Sequence, residues 1–173
     1  ITTATDGRAV FAVDSWAKSH ECVVFDPENI KYISGALLRG DTVGLRSAFP
    51  VDGLLPAHID TKTAAESGFV IGFDTEVQPF PHTLHLVPRV ISLGIGCRKG
   101  TDEETIRAAV NEALAAHGID WRAVKCAASI DLKAEEAGLL AYCRSEGLSA
   151  EFYTADELRA VRGEFTPSEF VKS

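Results

Sequence analysis

An α/β fold is predicted for this chain: a C-terminal three-layer domain on a largely parallel sheet, preceded by a smaller α/β segment. Three observations predict it. Apolar runs of strand length alternate with amphipathic stretches of helical length, the pattern of βαβ units. Glycines follow the helical stretches at Gly40, Gly118 and Gly147, where a helix ends most easily in the left-handed region. Pro79, Pro81 and Pro88 interrupt the middle of the chain and place a boundary after Pro88, giving segments 1–88 and 89–173.

In the first segment, Ile1-Thr2-Thr3-Ala4-Thr5-Asp6 reads as a strand entering a loop. Phe11 to Ser19 carries Val13, Trp16 and Ala17 at helical spacing, and Cys22-Val23-Val24-Phe25 suits a buried strand. Asn29 to Arg39 is a helix with one apolar stripe of Ile30, Ile33, Ala36 and Leu37, followed by a strand over Thr42 to Leu45. Pro50, Gly53 and Pro56 make 49–62 a loop. Gly68 to Phe73 and Thr83 to Val87 are the next strands.

In the second segment, Val90-Ile91-Ser92-Leu93 reads as a buried strand and Thr101 to His117 as a helix with Ile106, Ala109, Val110, Ala113 and Leu114 on its core face. Lys125 to Ile130 is a strand, Leu132 to Glu146 a helix, Ala150 to Tyr153 a strand and Thr154 to Val161 a helix. Thr166, Pro167 and Glu169 announce a further helix. That helix has scarcely begun when the sequence stops at Ser173, and Ile1 opens a chain without methionine; both read as a piece of a longer protein.

Composition narrows the function classes. The 173 residues are 46% hydrophobic and 24% charged, which belongs to a globular protein. No run approaches the roughly 18 consecutive apolar residues that cross a bilayer, and no secretory leader is visible, so a cytoplasmic location without membrane partners is expected. A net charge of −8 disfavours nucleic acid as a partner. It leaves anionic small molecules open, because a local cluster of cations and N–H groups acts on them more strongly than distant surface charge does. Cys22, Cys97, Cys126 and Cys143 lie too far apart for a zinc or redox motif and read as reduced thiols; the five scattered histidines suggest no metal site.

Two segments carry chemistry. Gly94-Ile95-Gly96-Cys97-Arg98-Lys99-Gly100-Thr101 follows a strand and opens a helix, where glycines admit a ligand close to the backbone and free N–H groups meet anions. Its spacing is one residue off the dinucleotide fingerprint and lacks the ending of a phosphate loop, so nucleotide binding is the weakest alternative. The same residues also serve a tight turn with Thr101 as N-cap and Glu104 completing a capping box, and both readings hold together. Cys97 has cations and a helix start beside it that could activate a nucleophile, but a free cysteine is more often inert and no histidine has an assignable place next to it. In Ser129 to Gly138, Asp131 is placed to cap a helix, and Lys133 and Glu136, three apart, share a helical face. Either they form a surface pair, or they set an ammonium and a carboxylate beside a ligand for acid–base chemistry.

Val90 to Gly100, Ala128 to Glu136, Phe152-Tyr153-Thr154-Ala155-Asp156-Glu157-Leu158 and Pro167-Ser168-Glu169-Phe170-Val171 resemble successive blocks of the C-terminal domain of the CbiG family of cobalamin synthesis, and 89–173 is also similar to CobE. Thr2 to Asp6, Phe11 to Asp14 and Trp16-Ala17-Lys18 resemble that family's junction into its middle segment, here 1–88. The resemblance implies cobalt-precorrin-5A hydrolase activity in the complete protein. Water opens the ring A lactone, acetaldehyde leaves, and cobalt-precorrin-5B forms without a cofactor of the protein's own, since the substrate carries the cobalt. For that activity the candidate catalytic residues are Glu136 and Lys133, and the candidate substrate contacts Gly94, Gly96, Cys97, Arg98, Lys99, Gly100, Asp131 and Ser168. Other enzymes of the pathway would be partners. The alternative is a non-catalytic module that binds and hands on the corrinoid. The family's N-terminal domain and its ending beyond Ser173 are not in this sequence, so the activity implied is that of the complete protein.

Overall fold

The computed structural model describes residues 11–163. The expectations for Ile1 to Asp6, the helix start at Thr166 and Ser168 fall outside them. The described chain divides into two compact units, residues 11–91 with Ala109–Lys125, and Ser92–Ala108 with residues 126–163.

In the first unit the order is α1 (Val13–Ser19), β1 (Cys22–Val24), α2 (Ile30–Arg39), β2 (Val43–Ser47), β3 (Ile59–Asp60), β4 (Ser67–Ile71) and β5 (His82–Pro88). The five strands form one sheet in the order β1-β5-β4-β2-β3. β2 is parallel to β3 and β4, β4 is parallel to β5, and only β1 runs antiparallel to its neighbour. β4 and β5 are buried along almost their whole length, as strands covered on both faces are. Ile33, Ala36 and Leu37 of the predicted α2 stripe are buried with Val13, Ala17, Leu45, Phe69, Leu84 and Leu86. Gly40 ends α2 at φ 79°, the left-handed stop expected of it. β3 lies inside the stretch expected to be a loop; two residues beside Val43 and Gly44 are too few for any periodicity to announce.

Two contacts in this unit are specific. Gly44 and Gly68 are partners across β2 and β4. A β-carbon at Gly44 would lie 2.1 Å from the Phe80 ring and one at Gly68 2.4 Å from it, so the ring fills the space both side chains would take. His85 is buried, and Asp26 accepts from its backbone N–H at 2.7 Å and lies 2.9 Å from its Nδ1, while the Val77 carbonyl is 2.8 Å from Nε2. This histidine is a satisfied core residue.

The second unit carries β6 (Ile91–Gly94), α3 (Glu103–Ala116), β7 (Val124–Ile130), α4 (Ala137–Ser145), β8 (Ser149–Tyr153) and α5 (Ala155–Ala160), the division into units falling within β6, α3 and β7. The sheet order is β6-β7-β8, with β7 parallel to β8, and the predicted α/β class with a largely parallel sheet is observed. Ile106, Leu139, Tyr142, Cys143 and Leu148 are buried in it. Arg107 fastens the start of α3 to the end of α4 through Glu103, Ser145 and Glu146.

Four local expectations are corrected. The α3 N-cap is Asp102, whose carboxylate accepts from the Thr105 N–H at 2.8 Å; Thr101 instead donates its hydroxyl to the Arg98 carbonyl at 2.9 Å. The stretch from Leu132 to Glu146 is a 3-10 turn over Asp131–Lys133 followed by α4, so Lys133 and Glu136 do not share a helical face. No side-chain cap closes that turn, so Asp131 does not act as one. β6 is half exposed rather than buried, with Ser92 and Gly94 outward. Among the described residues no helix is long and apolar enough to cross a membrane.

Candidate functional site

The glycine loop and the Asp131–Lys133 turn each follow a strand of the second unit's sheet, β6 and β7. These strands are neighbours, so both segments leave the sheet at adjacent strand ends, where α/β sheets bind ligands. Ile95 N–H donates to the Ala128 carbonyl at 2.8 Å and Ser129 Oγ to the Ile95 carbonyl at 2.7 Å, which locks the exit of β6 against β7.

Beyond this lock the two segments touch through one carboxylate. Glu136 Oε2 accepts from the Gly100 N–H at 3.0 Å and Oε1 from Lys133 Nζ at 3.1 Å. The Lys133 and Glu136 side chains are 19% and 13% exposed, half-withdrawn from water rather than splayed on the surface. The Gly100 amide, and then Lys133, hold the Glu136 carboxyl below its usual range, because both favour the charged form. Gly100 has φ 77°, a conformation open to glycine that turns its N–H toward the carboxylate.

An open cleft of about 690 Å³ lies here. Lys99 and Gly100 bound it on the loop side, with Thr101 and Asp102; Leu132, Lys133 and Glu136 bound it on the turn side. It therefore holds two ammonium groups, the carboxylates of Asp102, Glu135 and Glu136, of which Glu136 is engaged by Gly100 and Lys133, and an apolar lip, Leu132, which is 79% exposed. Lys99 and Lys133 are the groups of this lining that can meet an anion.

Of the sequence-predicted site residues, Lys99, Gly100, Lys133 and Glu136 are brought together here. Gly94, Gly96, Cys97, Arg98 and Asp131 do not line this cleft. Arg98 is exposed, Cys97 half-buried and Asp131 exposed. Gly94 and Gly96 have no positive φ, and a β-carbon on either would meet nothing within 4 Å, so neither the turn nor the packing requires glycine there. Ser168 lies outside the described residues. One positioning residue escaped the sequence reading: Gly138, where a β-carbon would lie 2.0 Å from the Thr101 carbonyl oxygen. A glycine in the first turn of a helix was its only signal.

Fold and site together define an α/β protein that presents a charged cleft of mixed sign at the carboxyl ends of neighbouring strands. Residues 91–173 match the family described as Cobalamin synthesis G C-terminus, which bears out the resemblance seen in that part of the sequence. The chain is 24% identical to the cobalt-precorrin-5A hydrolase of Priestia megaterium over 93% of its length and 48% of that protein's. It is 29% identical to the cobalt-precorrin-5A hydrolase of Salmonella typhimurium over 99% of its length and 52% of that protein's. Protein CobE of Sinorhizobium sp is 36% identical over 46% of this chain and 52% of its own. The chain thus spans about half the length of these relatives.

Proposed function

We propose that this chain is part of a cytoplasmic cobalt-precorrin-5A hydrolase, and that the cleft at Glu136 receives the carboxylate-bearing edge of the macrocycle. The observation that carries this reading is the Gly100–Glu136–Lys133 cluster, which joins two of the segments that resemble the family at one cleft. Lys99 and Lys133 meet substrate carboxylates. Gly94 and Gly96, whose identity the fold leaves unexplained, admit the ligand close to the backbone of β6 and its loop. Arg98, Cys97 and Asp131 are outer contacts, as is Ser168.

In this reading Glu136 takes the proton from the water that opens the lactone. A carboxylate engaged on both oxygens and held at a low pKa is a weak base, so the ligand must first draw Lys133 or the Gly100 amide away from it. The protein supplies no cofactor, the cobalt being the substrate's, and hands its product to the next enzyme of the pathway.

The double engagement of Glu136 also favours a second reading, a corrinoid-binding and hand-off module in which Glu136 only ties the loop to the turn. Glu136→Gln in the complete protein separates the two, since an amide oxygen still accepts from Gly100 while basicity is lost. The hydrolase reading expects preserved corrinoid affinity with acetaldehyde release reduced by about 10²-fold or more. Full release in that variant sinks Glu136 as the base. No acetaldehyde from the unaltered complete protein leaves the hand-off module.

A further inference from the structure

The first unit holds a cavity of about 450 Å³ that the proposed hydrolase site does not use. Small-molecule sites typically measure about 300–1,000 Å³. Ser47, Ile71 and Pro88, the last residues of β2, β4 and β5, line it. β4 is parallel to both others, so the cavity lies at the carboxyl edge of this sheet, the edge at which open α/β folds bind ligands.

The chain segment at that edge is built as a wall rather than as an ordinary loop. Connecting loops are normally polar, yet this one reads Phe49-Pro50-Val51-Asp52-Gly53-Leu54-Leu55-Pro56, and every residue of it except Gly53 lines the cavity. Leu54 is 100% exposed and Val51 44%, which leaves apolar surface uncovered at the lining. Phe11, Trp16 and Phe69 add aromatic rings, Phe11 and Phe69 stacked at 6.0 Å and 19°.

Charge in this lining is scarce and its sign is definite. Asp52 is the one acidic residue of the lining, and no lysine or arginine joins it. The other polar groups have partners of their own. Ser47 Oγ donates to the Phe49 carbonyl at 2.9 Å, the Cys22 thiol to the His20 carbonyl at 3.5 Å, and His20 Nδ1 lies 2.9 Å from the Trp16 carbonyl. Asp52 has no hydrogen bond or ion pair among the described residues. A lone carboxylate among aromatic rings repels an anion. It attracts a cation in two ways, through its own charge and through the negative faces of the rings. One carboxylate is too few for a metal ion, which takes several ligands, whereas an ammonium nitrogen carried on apolar groups needs no more than one.

We propose that this cavity binds a small organic cation, an ammonium nitrogen bearing apolar groups, with the charge at Asp52 and the apolar groups against the aromatic walls. The site lies in the first unit and shares no residue with the cleft at Glu136, so the proposal does not rest on the hydrolase reading.

The test uses the nitrogen-15-labelled 173-residue chain, choline, and the uncharged isostere of choline in which a tert-butyl group replaces the trimethylammonium. Choline should move the Trp16 indole N–H resonance and the amide resonances of Val51 and Asp52, while the Gly100 amide stays in place. The isostere, equal in shape, should bind at least about fivefold more weakly, a comparison that needs no variant. Asp52→Asn should weaken choline binding about two- to fivefold, the usual share of an exposed ion pair, and leave the isostere unaffected. Salt at about 1 M should do the same, because the carboxylate is exposed. Equal affinity for choline and its isostere, shifts that map outside this cavity, choline binding indifferent to Asp52→Asn, or no shift at about 10 mM choline overturns the proposal. Acetaldehyde release by the complete protein tests the hydrolase reading separately, and neither result decides the other.

Discussion

The first turn of α4 lies so close to the glycine loop that a β-carbon on Gly138 would stand 2.0 Å from the Thr101 carbonyl oxygen. Real contacts of that kind do not occur, and the obstacle is backbone, which no side-chain rotation moves. The closeness of these two residues sets the distance across which Glu136 reaches Gly100.

Gly138→Ala is therefore expected to destabilise the chain by about 1–3 kcal/mol, the usual cost of overpacking, despite the gain of up to about 1 kcal/mol that alanine brings to a helix. Urea midpoints measure the net effect. The Gly100 amide should also lose its carboxylate partner, so its hydrogen exchange should accelerate in the variant. A stable variant with unchanged Gly100 protection would show that the two segments are not set by this approach.

At the other sheet, Phe80 covers the paired glycines of β2 and β4. Gly44→Ala should cost about 1–3 kcal/mol, because the new methyl group meets the ring at 2.1 Å. Phe80→Leu in the same chain removes the ring edge and should recover part of the loss. A double-mutant cycle on unfolding free energies reads this coupling, and strict additivity of the two changes would argue against it.

Much of this was legible in the sequence, and the exceptions share a cause. Apolar stripes and their glycine stops gave α2 and α3 their places, since both signals are local. Yet of the five residues expected on the α3 core face only Ile106, Val110 and Leu114 are buried, while Ala109 and Ala113 are exposed. The two-residue β3 pairs with residues sixteen positions earlier, which no local pattern reports. In the site, the spacing of Lys133 and Glu136 correctly suggested a pair but on the wrong element, since a 3-10 turn also brings i and i+3 together. The contact from Glu136 to Gly100 spans 36 positions and depends on the adjacency of β6 and β7. Adjacent strand ends were foreseeable from the parallel alternation. A glycine needed for lack of room, Gly138, shows itself only when the neighbour is in place.

The Glu136 carboxyl is held below its usual range in the folded chain, so the stabilisation it gives depends on pH in a definite direction. A depressed folded pKa contributes stability that is fully present above the unfolded value, about 4.3, and is lost as pH falls through the folded value. The stability difference between the unaltered chain and Glu136→Gln should thus be constant from pH 7 down to about pH 5 and shrink below about pH 4. Other acidic groups titrate alike in both proteins and cancel. Urea midpoints of the pair at pH 7 and pH 3 check it; a difference of equal size at both would assign the effect of the substitution to shape rather than charge.

Lys133 should matter to an anionic ligand more than its single charge suggests. Its ammonium occupies one oxygen of Glu136, so Lys133→Ala removes a cation from the cleft and at the same time leaves that carboxylate uncompensated toward the ligand. Both changes oppose a corrinoid bearing carboxylates. Arg98 is exposed and does not line the cleft, so Arg98→Ala should act more weakly. In the complete protein at low salt, Lys133→Ala is expected to weaken corrinoid binding about tenfold or more, roughly 1.4 kcal/mol, and Arg98→Ala by less. At 1 M salt, where the Debye length is about 3 Å, both losses should contract, because neither cation is fully buried. Adding Glu136→Gln to Lys133→Ala removes the uncompensated charge and should return part of the low-salt affinity, which a packing defect at Lys133 would not do. Titrations of the four proteins at two salt concentrations decide it, and equal losses at both, without recovery in the double variant, would place Lys133 among the residues that only hold the turn in shape.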